Sequence, residues 1–144
     1  MIARSALVLL PFFLAQPVHG KCELGDVSSF ATEFAVAFYT DTIASLDKRY
    51  CLAGPLEVVV DHSIRDESEK AKVKSFAGLA AWLSARRSES IPYPDIWPFQ
   101  GCSSGICLFE GGNQKHSHVF LTHIRYSRSP YGASLASIRF EDGD

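Results

Sequence analysis

The sequence predicts an α+β domain, with about three helices packed on one face of a curved, mostly antiparallel sheet. Two patterns point to it. Apolar residues recur at helical spacing through much of the first half. The last third alternates at strand spacing in segments joined by short turns, which implies antiparallel pairing. A length of 144 residues fits one domain. With 47% apolar and 12% aromatic residues, the composition suits a packed core and not a disordered chain. The formal charge is −2, from 14 Lys and Arg against 16 Asp and Glu. No basic excess exists to neutralise a phosphate backbone, so no nucleic-acid partner is expected.

The first 20 residues read as an export signal. Arg4 supplies the positive start, and Ala6–Ala15 forms a short apolar run. Such a run is about 15 Å long as a helix, half of a bilayer core, so it is too short to anchor the chain. Val18 and Gly20 supply small-residue cleavage positions, which predicts a mature domain of residues 21–144. That domain is expected in the bacterial periplasm or secreted, with no membrane partner after cleavage. Its four cysteines, Cys22, Cys51, Cys102 and Cys107, make an even count in an exported chain and imply two disulfides. Three pairings are possible. The turn residues Ser103-Ser104-Gly105 favour closing Cys102 onto Cys107, which leaves Cys22 for Cys51. Closing the longer loop is worth about 3.5 kcal/mol in the chain-entropy model.

The elements follow in order. Asp26, Ser28 and Ser29 offer cap oxygens for a helix over 26–45, with Val27, Phe30, Phe34, Ala37 and Phe38 on one face. A short helical stretch is expected from Ser45 to Cys51 and is broken by Gly54-Pro55. Leu56–Asp61 is a β-branched run of strand length. Residues 65–72, rich in charge, read as a solvated loop leading into a helix over Val73–Arg87. Prolines 92, 94 and 98 forbid regular structure in the aromatic stretch 91–99. Ile106–Glu110, His118–Tyr126 and Ala133–Phe140 are the three closing strands, with Gly111-Gly112-Asn113 and Ser129-Pro130-Tyr131-Gly132 as turns.

Strict alternation divides the longest strand. His118, Phe120, Thr122, Ile124 and Tyr126 form the face expected to meet the helices. Val119, Leu121, His123, Arg125 and Ser127 form a face suited to partial exposure or a dimer contact. Ala136, Ile138 and Phe140 are the apolar set of the last strand. Asp61, at the end of the first strand, is the best candidate general base, and His118 with Thr122 is placed to join it in proton transfer. His116 and His118 share a face and could meet His62, but nothing completes a ligand set, and no C-x-x-C pair occurs. Neither a metal nor a cofactor is expected.

Three local patterns resemble the nuclear-transport-factor-2-like superfamily, which includes ketosteroid isomerase and the polyketide cyclases. They are Ala44-Ser45-Leu46-Asp47, the strand Glu57–Asp61, and the tail His123–Tyr126 with Ser137–Phe140 and Asp142-Gly143. The resemblance spans nearly all of residues 21–144. It implies a cone-shaped fold with a pocket between the helices and the concave sheet face, and frequent homodimers. Phe34, Phe38, Phe120 and Thr122 would line that pocket, with Tyr93 and Trp97 able to stack on a ligand. In the isomerase pattern the base corresponds to Asp61, the oxyanion tyrosine to Ala37 and the neutral acid to Thr122. Only the base is present, and a base without its oxyanion donors lacks the main electrostatic contribution. The expected function is therefore an exported module that binds a small apolar ligand or a protein partner. The alternative is a cofactor-free isomerase, dehydratase or cyclase using Asp61.

Overall fold

The computed structural model describes residues 22–62, 65–85, 99–109 and 119–142. The expected signal segment lies outside the described residues, as do Tyr93, Trp97, His116, His118 and the Gly111-Gly112-Asn113 turn. The elements are α1 (Val27–Tyr39), a 3-10 helix (Ile43–Lys48), β1 (Leu56–His62), β2 (Glu67–Val73), α2 (Phe76–Ser84), β3 (Phe99–Ser103), β4 (Ile106–Phe109), β5 (Val119–Ser129) and β6 (Gly132–Asp142). The strands form one mixed sheet in the order β2-β1-β6-β5-β4-β3. Only β1 and β6 are parallel; the other neighbours are antiparallel. The fold is α+β.

The helices cover one sheet face because both surfaces are apolar there. Phe30, Phe34 and Phe38 of α1 and Phe76 of α2 are fully buried, as are Val58, Val60, Ile138 and Phe140 of the sheet. The Phe38 and Phe140 rings lie 5.0 Å apart, and Phe34 and Phe76 lie 6.4 Å apart. Each such side chain contributes roughly 1.5–3 kcal/mol by leaving water.

Caps set the helix ends. The Asp26 carboxylate accepts from the Ser28 N–H (3.3 Å) and the Ser29 hydroxyl (2.7 Å), and these bonds hold its pKa below the usual range. The α1 helix stops at Tyr39, short of the expected residue 45. Asp41 turns into the left-handed region (φ 60°), and the Thr42 N–H reaches back to the Ala37 carbonyl. The expected helix at 45–51 is a 3-10 helix displaced to 43–48. Asp47 in this helix caps α2 across 29 residues of sequence: its oxygens accept from the N–H groups of Phe76 (2.8 Å) and Ala77 (2.9 Å). The Ser75 hydroxyl accepts from Gly78 (2.9 Å). Three otherwise unpaired helix donors are thereby satisfied.

Both disulfides join the expected partners, Cys22–Cys51 and Cys102–Cys107. The first secures the start of the domain, where the Leu24 N–H also donates to the Ala133 carbonyl of β6 (2.8 Å). Nearby, Glu33 of α1 accepts from the Tyr50 hydroxyl (2.6 Å) and pairs with Arg49. Burial and Glu33 push the Tyr50 pKa up, which keeps the phenol a donor.

Several expectations are corrected. Residues 67–73 are not a loop but an edge strand, and α2 begins at Phe76 instead of Val73. Pairing with β1 supplies the backbone bonds, and charged side chains are tolerated on an edge. A further strand, β3, precedes β4, and Cys102 and Cys107 face each other across the pair. Among the described residues the sheet thus has six strands where four were expected. Alternation also fails twice. A bulge at Thr122 switches the parity of β5, so Val119 and Leu121 join Ile124 and Tyr126 in the core. A second irregularity, between Arg125 and Tyr126, leaves Ala136 of β6 exposed.

Replacing Asp47 by Ala is expected to lower stability by about 1–2 kcal/mol, the usual worth of a helix cap. Urea denaturation would read this as a lower midpoint at unchanged slope.

Candidate functional site

Two polar clusters stand at the same end of β1, on opposite faces. Alternation along β1 sends Leu56, Val58, Val60 and His62 toward the helices, and Glu57, Val59 and Asp61 toward the helix-free face.

Asp61 lies opposite Ser68 of β2 and Glu141 of β6. Its Oδ1 accepts from the Ser68 hydroxyl (2.6 Å), and its Oδ2 is 2.8 Å from Arg139 Nε. One carboxylate oxygen therefore holds a donor and the other an ion-pair partner. The Asp61 and Arg139 side chains are each 38% exposed, so the pair contributes at most about 1 kcal/mol. A general base needs a lone pair aimed at a substrate in a sheltered site. Here the carboxylate anchors neighbouring strands, on the face away from the helices.

The inward position at this end belongs to His62. It is the one buried polar residue among the described residues, at 6% exposure. Its Nδ1 lies 3.1 Å from Asp142 Oδ2, and its Nε2 lies 3.3 Å from Glu69 Oε1. Three adjacent strands, β6, β1 and β2, contribute the three side chains. An imidazole between two carboxylates is a competent proton relay. The alternation Leu56, Val58, Val60, His62 was the signal that could have picked it out ahead of Asp61. Among the described residues, no group of three His, Cys, Asp or Glu side chains is arranged to hold a metal ion.

The remaining expected residues are dispersed. Phe34 and Phe38 have no exposed surface and pack in the core. Phe120 is buried and lies opposite Glu141. Thr122 occupies the bulge, and its hydroxyl donates to the Arg139 carbonyl (2.9 Å). The adjacent Leu121 N–H donates to the Tyr39 hydroxyl (3.3 Å), which ties the end of α1 to the bulge.

Compared with known protein families, curated proteins and solved structures, the chain shows no match. The chemistry of the site therefore rests on its own geometry.

On the helix-free face, His123 lies opposite Arg139 and Leu108. Burial, then the charges of Arg125 and Arg139, hold its pKa below the ordinary value, with Asp61 opposing weakly. The unfolded chain binds this proton more readily than the folded one. Stability from this source is thus complete above about pH 6.5 and falls as pH drops through the depressed folded value. His123→Gln should flatten that part of the stability profile, as read by urea midpoints measured between neutral and mildly acidic pH.

Proposed function

We propose that the chain is an exported protein-interaction module on a nuclear-transport-factor-2-like fold, its sheet curved into the cone that this architecture implies. Helices confined to one face of a single sheet support the architecture. Two disulfides support an oxidising destination, in agreement with the N-terminal signal pattern. Among the described residues, no helix is long and apolar enough to cross a membrane.

The observation that favours interaction over storage of a small apolar ligand is the packing of the core. Phe34 and Phe38, the residues best placed to line a pocket, have no exposed surface and meet other rings within 6.4 Å. Space between helices and sheet that is filled by the chain's own side chains is not open to a ligand. Among the described residues the other face carries no helix, and Leu108 there is half exposed. A partner protein, or a second copy of the chain, fits such a face better than a small molecule does.

A second reading has its own support. His62, Glu69 and Asp142 suit proton transfer in a cofactor-free isomerase, dehydratase or cyclase, with His62 in the role first expected of Asp61. Proton exchange beside the carbonyl of a cyclic enone, lost in His62→Gln and kept in Asp61→Asn, would establish it.

The full chain expressed with a bacterial export pathway should yield a protein beginning at Lys21, read by N-terminal sequencing. Apolar dyes and long-chain fatty acids should leave its melting temperature unchanged. A rise of several degrees would restore the small-ligand reading, because a ligand bound only to the folded state stabilises it.

A further inference from the structure

The helix-free face has a local chemical character that narrows the kind of partner, and this inference rests on the interaction reading above. A shallow concavity of about 470 Å³ opens on the β3–β4 hairpin, with Ile106 and Leu108 as its apolar floor. Leu108 is 50% exposed. Residues 99–109 include no charged side chain, so the field over this hairpin comes from the neighbouring strands. In register, Ile106 lies beside Arg125, and Leu108 lies beside His123. One strand further, His123 faces Arg139.

The two guanidiniums are not equivalent. Arg139 is ion-paired with Asp61, its Nε 2.8 Å from the carboxylate. Arg125 is exposed and has no carboxylate partner among the described residues. His123, beside Leu108 and Arg139 in the register, is held below its ordinary pKa first by burial and then by the charges of Arg125 and Arg139. The acidic residues of this face, Glu57, Asp61 and Glu141, lie on β1 and β6, beyond Arg125 as seen from the concavity. The patch is therefore an apolar trough with one available cation at its edge.

We propose that the outer surface of β3, β4 and β5 docks an acidic, aliphatic segment of a partner protein. Aliphatic side chains of that segment rest on Ile106 and Leu108, and a neighbouring carboxylate pairs with Arg125. A cation at the rim of an apolar contact selects the sign of its partner while the apolar floor supplies the attraction.

The test uses the mature chain, 21–144, with both disulfides intact and labelled with nitrogen-15. Two synthetic peptides alternate Leu and Val with Glu in one and with Lys in the other. The acidic peptide should shift the amide signals of residues 101–108 and 123–126, and the basic peptide should not. Arg125→Gln should weaken binding about tenfold, and Arg125→Glu should turn the preference toward the Lys peptide. Leu108→Ser should weaken both variants' binding without moving the melting temperature, since that side chain is exposed. Equal binding of the two peptides, shifts confined to other surfaces, or no shift up to about 1 mM peptide would overturn the proposal. So would concentration-dependent shifts of the patch without peptide, which would assign it to a second copy of the chain. Shifts by free glutamate equal to those by the peptide would reduce it to an anion site and also count against it. These failures leave the interaction reading standing; that reading falls separately if an apolar small molecule raises the melting temperature.

Discussion

The parallel pairing of β1 with β6 is the constraint on which the molecule depends. Without it the β1–β2 hairpin and the β3–β4–β5–β6 meander would not form one sheet. The pairing brings Val58 beside Ile138 and Val60 beside Phe140 on the helix side. It also brings Val59 beside Arg139 and Asp61 beside Glu141 on the other. Strands so distant in sequence meet only after a large loop-closure cost, which the apolar pairs on the inner side offset. Both polar clusters follow from the same register, since Arg139 and Asp142 reach Asp61 and His62 only when β6 lies against β1.

The helices answer to that sheet. The aromatic side of α1 lies over Phe140, and Asp47 then joins the 3-10 helix to the start of α2. Tyr39 extends the same logic by accepting from the backbone where β5 bulges. One disulfide closes the start of the domain onto Cys51, and the other joins the two strands of the edge hairpin. Cys107 is itself buried in the core, so the second bridge fastens the edge hairpin to it.

The two faces of the sheet divide the possible functions. The inner face is occupied by the chain's own rings and ends in a buried histidine between two carboxylates. The outer face is polar toward β1 and β2 and apolar toward β3 and β4, with Arg125 at the boundary. Asp61 belongs to the outer face, where its carboxylate is half-exposed and paired with Arg139. One position along a strand is a change of side, and the helices choose which side is sheltered.

Local signals legible in the amino-acid order alone were those carried by neighbouring residues. The apolar stripe of α1, its Asp26 cap, the β-branched run of β1 and the short turn at Cys102–Cys107 all depend on contacts close in sequence. The edge strands were not legible. The charges of β2 read as a solvated loop until β1 supplies its hydrogen bonds, and β3 follows a proline-rich stretch that masks it. The parity of β5 was not legible either, because one bulged residue at Thr122 reverses a period-2 pattern without altering composition. Local physics thus determined the helices, the inner strands and which cysteines meet. Tertiary pairing alone decided that His62 and not Asp61 faces inward, because facing is a relation between a strand and the layer packed on it.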